Sequence, residues 1–370
     1  MADSWQAALE RWISASLVDS GTAERIREFE SSREQPKRLR WPILIAIAFG
    51  ALMLAAGVLL FVSAHWDDLS PAQRFSLVLA MVAVFHVAGA IFSDRFSALS
   101  TALHAVGTAG LGAGIFLSGQ IFNLQEHWPG GIMLWAAGAW IAWAIKRDWV
   151  QGALVALLTP AWLASEWVDA TERMTGADQI LGAGLLLLAV TYFSATTVEH
   201  KEPARRVLTW IGGIAIIPAT FIAIPERWWG WNEKIPLDVL IIGKVLGVVL
   251  PLSLAWLLRR RMVWENGIAA IWVLALGFIS PDAKLTPYIW AALASLSIIW
   301  WGLFEARQER INLGILGFGL TVICFYFSSV MDKLGRSASL MGLGLLFLVL
   351  GWGQERARRK LVAKVKAVAA

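Results

Sequence analysis

Long apolar stretches alternate with short polar ones along this chain, at 42–64, 75–92, 102–122, 131–145, 149–165, 179–195, 207–224, 239–258, 262–279, 287–304, 311–328 and 338–354. A hydrocarbon layer about 30 Å thick is crossed by about 20 apolar residues rising 1.5 Å each, so every stretch predicts a spanning helix. The fourth and fifth are short, and only Lys146-Arg147-Asp148 parts them. The pattern predicts an all-α polytopic membrane bundle of about twelve transmembrane helices. It divides the chain into an amphipathic helical segment at 1–41, the transmembrane bundle at 42–354 and a basic tail at 355–370.

Composition removes the soluble alternative, since 58% of the 370 residues are hydrophobic and 16% charged. Lys and Arg then orient the bundle, because they concentrate in cytoplasmic loops. With the N-terminus inside, the inner segments carry 24 of them and the outer loops 7. Both termini are expected in the cytoplasm, with the first span an uncleaved signal anchor after a segment too polar for a cleavable leader. The net charge of +5 reads as topogenic charge facing anionic lipid headgroups, with no nucleic-acid partner implied. Cys324 is the sole cysteine, which excludes an internal disulfide or a thiolate metal cluster.

In the first segment Trp5, Leu9, Trp12 and Ile13 recur at helical spacing. Ser20-Gly21-Thr22 then offers a break and cap before a second short helix with Ala23, Ile26 and Phe29. Such helices lie on the membrane surface, dock on the bundle or bind a protein partner.

Depth ranks the candidate chemistry, because ionisable groups inside the hydrocarbon are costly and functional by default. His86 lies about 17 Å into its span, and Lys244 about 8 Å into its own, where its stem can reach back toward the interface. Gln120 and Asn123 close the third span at the outer side. Nearby stands an outer polar cluster of His65, Asp67, Asp68, Glu126 and His127. Imidazole and carboxylate suit zinc, iron or manganese, which makes His65 and His127 candidate ligands, although their spacing matches no ligand motif and names no metal. The bland reading of the same loop is a helix cap, with Asp67, Asp68 and Ser70 ahead of Pro71 at a first helical position. Gly107, Gly110, Gly114 and Ser118 share one face of the third span and predict close helix packing. Glu265 follows Arg261 by four residues, the spacing of a helical ion pair, and His104 is expected at the inner interface. Pro160, Pro218 and Pro251 fall inside spans and free carbonyls that a neighbour or a cavity must satisfy. No phosphate-cradling loop, zinc-binding His-Glu-x-x-His helix or hydrolytic triad occurs, so no cofactor and no particular reaction is expected.

Several stretches resemble an uncharacterised prokaryotic family of polytopic membrane proteins, domain of unknown function 2157. They are Leu17-Val18-Asp19-Ser20-Gly21-Thr22-Ala23-Glu24-Arg25-Ile26, Gly57-Val58-Leu59-Leu60-Phe61 running into His65-Trp66-Asp67-Asp68-Leu69-Ser70, and Gly119-Gln120-Ile121-Phe122. A tail segment from Tyr326-Phe327 through Asp332-Lys333-Leu334 to Ser337 and Gly342 is similar to relatives of that family. Asn often stands in the family where this chain has His65, which argues against a general metal-binding role there. The resemblance implies a bacterial cytoplasmic (inner) membrane location and supplies no activity. The leading expectation is a transporter or channel-like carrier of a small or amphipathic solute. The others are a non-catalytic scaffold of an envelope assembly, and a membrane-embedded enzyme at the outer interface.

Overall fold

The computed structural model describes residues 9–33, 69–121, 127–197, 202–224, 233–279, 285–330, most of 341–359 and scattered positions from 46 to 64. Contacts divide the chain into two compact units, Met1–Asn123 and Leu124–Ala370.

In the first unit, a helical turn at 9–14 precedes α1 (Ser20–Arg33). Leu9 and Ala23 are buried while Trp12 and Phe29 are exposed, so only part of the expected apolar face is covered. The cap of α1 is Asp19, whose carboxylate accepts from the Thr22 amide at 3.1 Å, rather than the expected Ser20-Gly21-Thr22. Described positions between 46 and 64 are helical. α2 (Pro71–Ile91) starts as the loop sequence implies: Pro71 occupies the first turn, and Ser70 and Gln73 satisfy one another's backbone amides in a capping box. α3 (Ser97–Ile121) lays its glycine face on α2, where Gly110 meets Met81 and Gly114 meets Val78.

The second unit contains α4 (Pro129–Lys146), α5 (Trp149–Ala170), α6 (Ala177–Phe193), α7 (Pro203–Ala223) and α8 (Leu237–Arg259). A 3₁₀ turn at Arg260–Met262 leads into α9 (Val263–Leu274), followed by α10 (Thr286–Phe304) and α11 (Gln308–Phe325). Two-residue strands, β1 (Met174–Thr175) and β2 (Glu233–Lys234), pair in parallel and clip two loops together. Described positions from 341 to 356 are helical, and Gln354 donates to the Ile315 carbonyl, which lays this segment along α11.

Among the described residues six helical stretches are long and apolar enough to cross a membrane: Pro71–Ile91, Ser97–Gln120, Pro203–Ala223, Leu237–Phe278, Thr286–Phe304 and Gln308–Ser329. The protein is therefore a multi-pass, all-helical integral membrane protein. One stretch, Leu237–Phe278, holds two of the expected spans, because the chain breaks at Arg260 (φ 52°, ψ −108°). The expected stretches at 131–145, 149–165 and 179–195 are helical as α4, α5 and α6.

The second unit packs around Leu186, Ala189, Phe193, Ile216, Ala219, Ala223, Val273, Leu276 and Trp290. Pro160 removes the donor for the Ala156 carbonyl, and the Tyr192 hydroxyl of α6 replaces it at 3.0 Å.

Candidate functional site

Five of the sequence candidates, His65, Asp67, Asp68, Asn123 and Glu126, lie outside the described residues. Gln120 is exposed at the end of α3, and Lys244 is exposed seven residues into α8. Among the described residues no three His, Cys, Asp or Glu side chains converge to hold a metal ion.

His127 is turned to α5. Its Nε2 lies 2.7 Å from Glu166 Oε2 and its Nδ1 3.2 Å from Asp169 Oδ2, while the Trp162 indole N–H steadies Glu166 at 2.8 Å. The hydrogen bond with Glu166 is the largest influence and raises the His127 pKa; desolvation opposes it, and the charges of Glu166 and Asp169 add to the rise. The imidazolium is thus favoured in the folded state, and its stabilisation is complete below the ordinary value of 6.5 and lost as pH rises through the raised folded value. The unfolding temperature of the wild type therefore falls slightly from mildly acidic to mildly alkaline pH. His127→Gln flattens that slope, and a slope unchanged in the variant refutes the link.

His86 and His104 meet across α2 and α3 with their Nδ1 atoms 3.0 Å apart, so one imidazole donates and the other accepts. Each ring occupies the notch of a glycine on the opposite helix. Any Cβ at Gly107 would strike the His86 ring, and one at Gly89 the His104 ring. His86 is five residues from the end of α2, about 8 Å by helix rise, so the pair sits toward the Phe92–Phe96 turn rather than mid-helix. His104 is buried against α2, two turns into α3 from Ser97.

The densest chemistry lies where sequence reasoning placed a simple surface pair. Glu265 does not pair with Arg261, which is exposed; its Oε2 binds Arg259 Nη2 at 2.7 Å. The break at Arg260 turns α9 away from the continuous helix that four-residue spacing presumes. Arg259 also reaches Glu305 Oε1 at 2.6 Å, and Arg310 Nη1 reaches the same oxygen at 2.8 Å. These four charged side chains are each at most 8% exposed. The Trp301 indole N–H points at both Glu265 Oε2 (2.6 Å) and Glu305 Oε1 (2.8 Å), and the Arg310 guanidinium stands 3.9 Å over the Trp301 ring. Asn266 completes the cluster by accepting from Arg259 and donating to Ser194 at 3.0 Å. Two left-handed residues, Arg260 (φ 52°) and Ala306 (φ 55°), each directly follow a buried charge, Arg259 and Glu305. Non-glycine residues hold such backbone only where packing over-determines it. Burial pushes the Glu305 carboxyl up, but hydrogen bonds with Glu265 and Arg310 and the charges of Arg310 and Arg259 outweigh it and bring it down to about 2.

Beside this cluster a cavity of about 320 Å³ runs between α6, α7, α9, α10 and α11. It extends along α10 from Tyr288 to Trp301, about 20 Å by helix rise. Stacked Trp272 and Trp290 line it, together with Cys324 and, at the cluster end, Glu265. The hydroxyls of Thr220, Ser295, Ser297 and Thr321 in its wall all donate back to carbonyls of their own helices, four residues earlier. Those four hydroxyls are thus engaged within their own helices, while the buried Trp272 indole N–H in the same wall has no hydrogen-bond partner among the described residues. Phe221, Trp264, Ile268, Trp300 and Phe304 form a rim that is more than half exposed, on helical faces of the kind that meet lipid.

Residues 10–151 match the family model described as predicted membrane protein (DUF2157). This is the family that the N-terminal motifs resemble, and the matched part carries α1 to α4 with the His86–His104 pair. The cavity and the ion cluster lie beyond the DUF2157 match. No curated protein and no solved structure matches the chain.

Proposed function

We propose that the protein is a carrier of a small amphipathic solute in a bacterial cytoplasmic membrane, with twelve spans and both termini in the cytoplasm. The observation that carries the reading is the elongated apolar cavity, whose rim is exposed on apolar helix faces and whose far end meets buried charge. Its volume falls at the low end for ligand sites, and its wall suits a hydrocarbon body with a hydrogen-bonding head. The orientation is supported by the charge-cluster end of the second unit. That end gathers Lys146, Arg147, Arg205, Arg259, Arg260, Arg261, Arg307 and Arg310, the enrichment expected of a cytoplasmic face. On this reading residues 1–41 and 355–370 are cytoplasmic flanks, and anionic headgroups face the basic tail.

Cys324 provides a native reporter, because it lines the cavity and is the sole cysteine. In protein held in lipid nanodiscs, N-ethylmaleimide alkylates Cys324, and decylamine or decanol slows the reaction several-fold. An alkylation rate that no amphiphile changes refutes the reading.

A further inference from the structure

We propose that the Trp272 indole N–H is the recognition point of the cavity, and that the cargo is an uncharged amphiphile whose ketone, ester or hydroxyl oxygen accepts from it. This rests on the carrier reading above and names the chemistry of the carried molecule.

Buried tryptophans usually find an acceptor for the indole N–H, so an exception calls for an explanation. The neighbours of Trp272 in the wall are engaged. Trp290 donates to the Trp272 carbonyl at 3.2 Å, and the Tyr288 hydroxyl donates to Ser328 at 2.6 Å. Trp301 is held by Glu265 and Glu305, and the four wall hydroxyls by their own helices. Trp264 and Trp300 stand on the exposed rim instead. Trp272 Nε1 alone among these indole nitrogens is buried with no hydrogen-bond partner among the described residues. An oxygen brought by the ligand supplies the acceptor that it lacks.

No hydrogen bond pins the Trp272 ring, which is held by stacking on Trp290 with centroids 5.9 Å apart and planes 22° from parallel. A small turn within that stack carries the N–H from beneath the wall surface to an oxygen in the cavity. Charge narrows the class of ligand further. Glu265 is the charged residue among those lining the cavity, and it stands in a cluster where two guanidinium groups balance two carboxylates. A head carrying its own charge meets no spare counter-charge there, so the cargo enters uncharged. Glu265 and Trp272 are seven residues apart on α9, which leaves about 10 Å of wall for the hydrocarbon between the head and the ion cluster. Cys324 reports on the Trp272 end, because its neighbour Phe325 meets the Tyr288 ring, two residues before Trp290.

The full chain in lipid nanodiscs tests this with methyl nonyl ketone and undecane, which have the same carbon count and differ in one carbonyl. At equal mole fraction in the lipid, the ketone slows N-ethylmaleimide alkylation of Cys324 about fivefold more than the alkane does, the worth of one hydrogen bond. Trp272→Phe removes that difference, while Trp300→Phe on the rim keeps it. The wild type alone gives a second reading by infrared spectroscopy, with the ketone isotope-labelled at its carbonyl carbon. After subtraction of protein-free nanodiscs, its carbonyl stretch lies below that of the same ketone dissolved in undecane. Equal protection by ketone and alkane in the wild type overturns the Trp272 assignment and leaves the carrier reading standing. So does a ketone advantage that survives Trp272→Phe or vanishes equally in Trp300→Phe, or a bound carbonyl at the free frequency. Protection by neither compound, nor by decanol, overturns the carrier reading and this inference with it.

Discussion

Glu305→Ala lowers the stability of the second unit by about 3–5 kcal/mol, the cost of leaving a buried charge without its partner, and drops the unfolding temperature by roughly 10 °C. The loss falls on Arg310, whose side chain is 3% exposed and whose only ionic partner among the described residues is Glu305. Arg259 keeps Glu265 and suffers less. Replacing both ends at once, with Glu305→Leu and Arg310→Met, recovers much of the stability, because neither charge remains to be buried. The four-protein cycle isolates the interaction, which should exceed that of an exposed pair such as Arg27–Glu24. Acid reproduces the effect with a defined sign. The Glu305 pKa falls from 4.5 to about 2 on folding, so its contribution is present above 4.5 and drains away as pH drops toward 2. Intrinsic tryptophan fluorescence follows unfolding, and wild-type stability that stays flat through this window would be inconsistent with the depressed carboxyl.

What sequence could supply tracks the range of the forces involved. The spans that reappear as α2, α3 and α7 to α11, the Ser70–Pro71 start of α2 and the glycine face of α3 are each written within about 20 consecutive residues, and each is found where expected. Partners across space are not written there. The glycines of α3 announce a close neighbour, but nothing local says that Gly107 makes room for His86 or that Gly89 makes room for His104. Glu265 shows how local spacing misleads. Arg261 stands four residues before it, yet a positive φ at Arg260 ends α8 and hands Glu265 to Arg259, with Glu305 and Arg310 joining from 40 or more residues away. The Trp301 indole that ties both carboxyl groups is one of 22 tryptophans, most of which look alike as interfacial residues. The cavity depends on five helices and has no signature in any one of them.

Gly212→Leu costs about 3 kcal/mol, because α6 and α7 touch backbone to backbone at this point. A Cβ at Gly212 would collide with the main chain of Ala189, Tyr192 and Phe193, and one at Gly182 with Ile222 and Ala223 at the other end of the same helix pair. Side chains yield by changing rotamer; a helical backbone moves only as a whole, so neither collision is relieved locally. Membrane helices use small residues in this way, since close approach and its dispersion contacts replace the hydrophobic drive missing in lipid. Gly182→Leu is therefore expected to match Gly212→Leu. Gly267→Ala, with open space around its Cβ, changes stability by at most about 1 kcal/mol in the opposite direction. Function moves with the packing, because α7 also brings Ile216, Ile217, Thr220 and Phe221 to the cavity wall. Forcing α7 outward at Gly212 loosens that wall, so N-ethylmaleimide reaches Cys324 faster in Gly212→Ala than in the wild type, while Gly267→Ala leaves the rate alone. Equal rates and equal stabilities in the two variants would mean that the α6–α7 contact neither holds the unit together nor shapes its cavity.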